Sequence, residues 1–196
     1  MMRKRRHGLS PAFQLEAAQL IVETFNRILL NSQCCQHIGA YLSVDDELTL
    51  TPLLTMLLSK QKSCYLPILH PCHFRGLWFA PYTKRMPLIS NRYQIAEPMI
   101  DLDTFVAPWE LTLVLLPLVA FSPSGYRVGM GGGYYDYSFQ FLLNTQSSAP
   151  LLIGCGYQCQ QLQNEPLAQP WDIPLDAVLT ETGLHIFNPK KFSGWL

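Results

Sequence analysis

The chain has 196 residues, 48% of them hydrophobic and 14% charged, which supplies one substantial core and excludes disorder over most of its length. Lys plus Arg and Asp plus Glu number 14 each, so there is no basic excess of the kind that attracts nucleic acid. Residues 10–31 are too polar for a secretory signal, and the apolar run 111–121 is about half the roughly 20 residues of a membrane-crossing helix. The expectation is a cytoplasmic protein without a membrane or nucleic-acid partner. Cys34, Cys35, Cys64, Cys72, Cys155 and Cys159 are scattered without a disulfide-type spacing, and reduced thiols are expected.

In chain order, Arg3, Lys4, Arg5 and Arg6 form the one charge cluster, a first partner for an anionic ligand or simply a frayed basic helix end. Ser10-Pro11 reads as a cap followed by Pro at the first helical position. Leu15, Ala18, Val22, Phe25 and Leu29 then recur at helical spacing as a buried stripe. Residues 38–44 read as a strand, 51–60 as a helix and 64–69 as a second strand, and this order suggests a parallel unit. Residues 76–82 suit a further strand, and 83–109, rich in Pro and polar residues without a period, suit a long functional loop. The run 111–121 is apolar on every side, as in a central strand covered on both faces, with Pro117 marking where it frays. A glycine-rich loop at 125–133, a helix at 134–144 and strands at 151–156 and 177–180 complete one α/β domain over residues 1–196.

The glycine-rich loop lies directly after the buried strand and before a helix, where open α/β sheets bind ligands. Gly129, Gly131, Gly132 and Gly133 permit positive φ and close approach of a ligand, and successive N–H groups can cradle a phosphate. The spacing matches neither the Walker A loop nor the dinucleotide Gly-x-Gly-x-x-Gly fingerprint. A plain strand-to-helix turn would need the same glycines. The flanking residues favour a site: Arg127 can hold phosphate oxygens, Tyr134 and Tyr135 can stack on or bond a heterocycle, and Asp136 can hold Mg²⁺.

Leu116-Pro117 to Phe121, followed by Arg127-Val-Gly-Met-Gly-Gly-Gly-Tyr-Tyr-Asp136, closely resembles the hallmark of the 5-formyltetrahydrofolate cyclo-ligases, also called methenyltetrahydrofolate synthetases. The resemblance runs through Tyr41-Leu42-Ser43 to Glu47, Leu66-Pro67 and the segment from Tyr93 to Glu97-Pro98. It continues through Gly154, Gln160, Pro166, Asp172, Asp176, Val178 and Thr180.

The resemblance implies a single three-layer α/β/α domain with a mostly parallel sheet, acting as a monomer in one-carbon metabolism. It implies ATP-dependent closure of 5-formyltetrahydrofolate to 5,10-methenyltetrahydrofolate, with ATP as co-substrate and Mg²⁺ as cofactor. Position by position, Arg127, Tyr134 and Tyr135 would be catalytic. Arg3, Arg6, Arg127, Gly129, Met130, Gly131, Gly132, Gly133, Tyr134 and Tyr135 would meet ATP. Leu42, Glu47, Tyr93, Met130, Gly131, Gly132, Gly133 and Tyr134 would meet the folate, and Asp136 and Asp172 the metal. Tyr93 is as readily a loop aromatic capping the core.

Three departures stand out. Aligning Leu9-Ser10 with the family's pair puts an ATP-contacting Lys and Arg ahead of Met1, Ser122 replaces the usual Asp, and Tyr137 stands where Arg often follows. The alternatives are a non-catalytic folate or nucleotide binder, and a sugar-phosphate isomerase or acyl-CoA-type enzyme on a similar sheet. Among other signals, Cys64, His70, Cys72 and His73 are too compact for a usual zinc site. Cys155 and Cys159 read as core fillers, and Asp101, Asp103 and Glu110 as a solvated loop face beside Trp109.

Overall fold

The computed structural model describes residues 2–30, 32, 35–70, 72, 75–99, 104–144, 150–193 and 195. Cys34, His73, Asp101 and Asp103 fall outside them. The basic cluster forms a short helix, α1 (Met2–His7), and the capped segment forms α2 (Pro11–Ile28), where Ser10 Oγ accepts the Phe13 N–H. The buried face of α2 runs through Ala17, Ile21 and Phe25 at i, i+4 and i+8. Leu15 was expected in this stripe but is 69% exposed. At 100° per residue it lies about 200° round the helix from Ala17, on the solvent side.

A short strand β1 (His37–Gly39) leads through an irregular loop to α3 (Thr51–Ser59), which returns the chain to β2 (Ser63–Leu69). Helix α3 closes with paired reverse bonds, Gln61 N–H to Leu58 O and Lys62 N–H to Leu57 O, and Gln61 sits at φ 58°. This C-terminal geometry favours glycine. Gln61→Gly is expected to raise unfolding free energy by about 0.5–1 kcal/mol, because the left-handed penalty on a side chain exceeds glycine's extra chain entropy. Urea unfolding tests this, and a loss of stability would refute it.

Next come β3 (Leu77–Pro81), a small hairpin of β4 (Leu88–Ser90) and β5 (Ala96–Pro98), and β6 (Leu113–Pro117). The hairpin β7 (Ala120–Phe121) and β8 (Arg127–Val128) precedes α4 (Tyr134–Phe139). Then follow β9 (Leu151–Cys155), β10 (Ala177–Thr180), β11 (Gly183–Ile186) and α5 (Pro189–Phe192). The expected long strand 111–121 is thus two strands broken after Pro117. The expected helix 134–144 ends at Phe139 and tightens into a 3-10 turn, Gln140–Leu143.

Seven strands form the central sheet in the order β11-β10-β9-β6-β1-β2-β3. The five inner strands are mutually parallel, including the expected β1–β2 pair with Ile38 opposite Cys64, and the edges β3 and β11 are antiparallel. Strand alternation divides the core. Leu113, Leu115, Leu151 and Ile153 pack with Ile21 and Phe25 of α2 and with Leu53 and Leu57 of α3. On the other face, Val114, Leu116, Leu152 and Val178 pack under Phe121, Phe139 and Leu175. The expected three-layer α/β/α architecture holds, the second outer layer being the short α4 and irregular segments. Strand order reverses between β6 and β1, so their C-terminal ends diverge into a crevice.

Candidate active site

A cavity of about 1190 Å³ opens at that crevice. This exceeds the roughly 300–1,000 Å³ usual for one small ligand and gives room for two. One wall is the loop after β1. Asp45 and Asp46 both lie in the left-handed region, at φ 53° and 57°, and turn the chain sharply enough to bring Glu47 into the cavity wall. Glu47 Oε2 accepts the Val44 N–H at 3.2 Å. Burial raises the Glu47 pKa, opposed by that bond and by the Arg6 charge. A carboxyl whose folded pKa is raised costs stability fully once both states are ionised and nothing where both are protonated. Glu47→Gln is therefore expected to raise the thermal midpoint at pH 7 and leave it unchanged below about pH 4, as scans at the two pH values will check.

Helix α1 clasps this loop. Arg3 Nε, Arg6 Nη2 and His7 Nε2 converge on Asp45 at 3.3, 2.9 and 3.4 Å, and His7 Nδ1 meets Asp46 at 2.6 Å. Arg3 lines the cavity, whereas Arg6 lies behind its wall and is 1% exposed. Arg6 Nη2 pairs with Asp45, as a guanidinium taken from water requires, while its buried Nε and Nη1 have no hydrogen-bond partner among the described residues.

The opposite wall is the glycine-rich loop. Gly131 and Gly133 adopt φ 87° and 66°, and the latter caps α4 directly. Since α4 has six residues, an anion at this loop would meet the loop N–H groups more than a helix dipole. Arg127 Nη2 meets Asp136 Oδ2 at 3.0 Å, and its guanidinium lies 5.2 Å over the Tyr135 ring. The cation is thereby held on two sides in the cavity wall. Tyr135 lies nearly parallel to Phe139, and its burial pushes the phenol well above its ordinary pKa. Asp136 Oδ1 also accepts the Ile173 N–H at 3.3 Å, which brings the residue after Asp172 against Asp136. Asp172 Oδ2 accepts the Gln169 N–H at 2.8 Å.

The β4–β5 hairpin forms the rim. Glu97 Oε2 accepts the Leu69 N–H and the Asn91 amide, fixing the hairpin to β2. Its turn presents Tyr93, whose hydroxyl lies 2.6 Å from that of Tyr134, and Arg92 Nη2 donates to the same Tyr134 oxygen at 2.8 Å. Tyr93 is half-exposed at the rim and contributes to the cavity, not to the core. At the far side, buried Ser122 accepts the Ser124 and Tyr126 N–H groups, so its hydroxyl shapes the turn ahead of Gly125.

The family model described as the 5-formyltetrahydrofolate cyclo-ligase family matches residues 1–181. The chain belongs to that family. Relatives named 5-formyltetrahydrofolate cyclo-ligase share 35% identity over 178 residues in Haemophilus influenzae (91% of this chain, 92% of the relative). In Escherichia coli K12 the figure is 36% over 183 residues (92% and 96%). The solved structure of Aquifex aeolicus 5,10-methenyltetrahydrofolate synthetase superposes with a TM-score of 0.76 at 25% identity, covering 95% of this chain and 89% of that one. A Mycoplasma pneumoniae 5,10-methenyltetrahydrofolate synthetase, at 22% identity and a TM-score of 0.67, shares the fold.

In this cyclo-ligase family member, Leu42, Glu47, Tyr93, Arg127, Gly129, Met130, the three following glycines, Tyr134, Tyr135, Asp136 and Asp172 all line one cavity. Sequence reasoning missed Arg75, Gln140 and Trp171 on its wall and Arg92 behind it. Arg75 and Arg92 belong to no sequence motif and sit in irregular segments, with no local spacing to mark them. Among the described residues no group of three or more His, Cys, Asp or Glu gathers as a metal site, which includes His70 and Cys72. Cys35, Cys64, Cys72, Cys155 and Cys159 are free thiols; Cys155 is buried and Cys159 half-buried. No helix among the described residues is long and apolar enough to cross a membrane.

Proposed function

We propose that this chain closes 5-formyltetrahydrofolate to 5,10-methenyltetrahydrofolate at the expense of ATP. The observation that carries the reading is one cavity, sized for two ligands, that joins the buried Glu47 carboxylate to the loop bearing Arg127 and Gly129–Gly133. A carboxylate suits the amino and ring N–H donors of a pterin, and N–H groups beside a fixed cation suit a polyphosphate.

The chemistry needs both ligands together, because a formyl oxygen is a poor leaving group until it is phosphorylated. The oxygen attacks the terminal phosphorus of ATP and ADP departs. The N10 nitrogen then bonds to the formyl carbon, the carbon–oxygen bond breaks with its electron pair leaving on phosphate, and N10 gives up its proton. Arg127 offsets charge on the transferring group, and the loop N–H groups hold its oxygens. No side chain needs to form a bond to substrate.

Asp136 and Asp172 offer the hard carboxylate oxygens that Mg²⁺ prefers. Two carboxylates on one cavity wall, without a full protein cage, fit an ion that keeps waters and takes phosphate oxygens as its remaining ligands. When bound there, Mg²⁺ would neutralise charge on the polyphosphate.

The test is to mix the purified chain with 5-formyltetrahydrofolate and Mg²⁺, with and without ATP, while following methenyl absorbance and phosphate release. ATP-dependent appearance of both products in equal amounts supports the reading; folate binding without either product overturns it in favour of a non-catalytic binder. Glu47→Gln is expected to weaken folate binding about 10- to 100-fold, the range for losing a hydrogen bond to a charged group. Unchanged folate affinity would remove Glu47 from the site.

A further inference from the structure

The glycine-rich loop has a guanidinium at each end. A Cβ added at Gly129 would lie 3.0 Å from Nη1 of Arg127, and one added at Gly133 would lie 4.0 Å from Nη1 of Arg75. Between them, a Cβ at Gly131 would meet nothing within 4 Å among the described residues. The middle of the loop thus faces open space, and a cation stands at either side of it. Arg127 comes from β8 and Arg75 from the exposed segment that leads into β3, so only the folded chain brings them to the same loop. Among the described residues three cations line the cavity, Arg3, Arg75 and Arg127, and the first of these is tied to Asp45 at 3.3 Å on the other wall.

We propose that Arg75 is a second catalytic arginine, which clamps the transferring phosphoryl group from the end of the glycine loop opposite Arg127. The inference rests on the cyclisation reading above. In the transfer, a bond forms between the formyl oxygen and the terminal phosphorus, and the bond from that phosphorus to the bridging oxygen breaks with its electron pair leaving on ADP. Arg75 donates N–H bonds throughout and gives up no proton.

Negative charge in this step spreads over the three peripheral oxygens of the transferring group. One planar guanidinium engages at most two oxygens from one side, so a third oxygen calls for a donor across the loop. The two arginines differ in how they are held. Arg127 is fixed by Asp136 at 3.0 Å and is 8% exposed, and it shares its charge with that carboxylate. Arg75 is exposed and reaches the loop from outside, so its contact can tighten as the phosphoryl group leaves ADP, which lowers the barrier without tightening the ground state. A guanidinium here would also suit the carboxylates at the tail of a folate. Its place beside the backbone of the glycine loop favours the phosphoryl group, and the two ligands separate in the kinetics.

The experiment measures kcat, both KM values and the ADP dissociation constant in the native chain and in Arg75→Met, Arg75→Lys and Arg75→Ala. Arg75→Met is expected to lower kcat about 10²-fold, the lower range for deleting one donor to a transition state, with both KM values and the ADP dissociation constant within about threefold of native. Because Arg75 is exposed, the variants should keep the native urea midpoint. Arg75→Lys should recover part of kcat, and so should dilute guanidinium chloride added to Arg75→Ala, measured against sodium chloride. A kcat within about threefold of native in Arg75→Met overturns the clamp. So does a raised folate KM at native kcat, which would assign Arg75 to the folate carboxylates, and so does a loss of ADP affinity as large as the loss of kcat, which would make it a ground-state anchor. A loss of kcat that neither lysine nor guanidinium relieves overturns it as well. Failure of the native chain to form methenyl product overturns the cyclisation reading itself, and the clamp with it.

Discussion

Arg127→Met is expected to reduce kcat/KM for methenyl formation about 10³-fold, the upper range for deleting one preorganised charge partner of a transition state. The reason lies in how Arg127 is held. Its side chain is 8% exposed, paired with Asp136 on one side and laid against Tyr135 on the other, so little ordering remains when a phosphoryl group arrives. Arg127→Lys keeps a cation without the planar fork and is expected to recover part of the loss. The two variants should unfold within about 1–2 kcal/mol of the native chain, because Asp136 keeps the Ile173 N–H and partial solvent access. Asp136→Asn separates its two candidate roles. If Asp136 serves only to hold Arg127, the variant will behave like Arg127→Met at every Mg²⁺ concentration; a loss relieved by excess Mg²⁺ indicates a metal ligand. An Arg127→Met chain within fivefold of native activity would remove this residue from the chemistry.

Asp176→Ala is expected to cost about 3–5 kcal/mol of unfolding free energy, the range for removing one partner of a buried charge pair. That corresponds to a fall in thermal midpoint on the order of 10 °C for a chain of this length. Asp176 is 4% exposed. Its Oδ2 accepts both the Leu152 N–H at 2.9 Å and Lys191 Nζ at 3.0 Å, and its Oδ1 accepts the Asn188 amide at 3.0 Å. Its backbone oxygen takes the Phe187 and Asn188 N–H groups. One residue therefore ties β9 to the start of β10 and to α5. Truncation strands a buried N–H and a largely buried ammonium together, whereas Asp176→Asn keeps one acceptor and should cost less. Denaturant unfolding distinguishes these, and a loss under 1 kcal/mol in Asp176→Ala would show that water replaces the carboxylate.

Local patterns were legible in the sequence and distant ones were not. Ser10-Pro11 announced α2 correctly because capping is decided within four residues, yet the exact buried face failed at Leu15, since the sheet chooses which side of a helix it covers. Residues 38–44 read as a strand, but the strand ends at Gly39; Asp45 and Asp46 adopt left-handed conformations without a glycine to signal the turn. Helix α1 has no apolar stripe. Its partners, Asp45 and Asp46, lie 39 residues away from Arg6 and His7, so side-chain pairing stabilises what local patterning could not predict. β11 escaped because its residues are all half-buried, giving no alternation. In the cavity the same division holds: the loop from Arg127 to Asp136 is contiguous and could be read, whereas Arg92 reaches Tyr134 across 42 positions through a hairpin.

The place of β1 in the sheet also constrains how the molecule assembles. β1 pairs with β2 on one side and with β6 on the other, and the second junction joins His37 to Thr112, 75 residues later. During synthesis the amino-terminal half therefore emerges with one edge of its first strand unpaired and its apolar face uncovered. Long-range parallel pairing of this kind is slow to nucleate. Aggregation during refolding should consequently depend steeply on protein concentration, and a nascent chain stalled before β6 should be a client of chaperones that shield exposed strands.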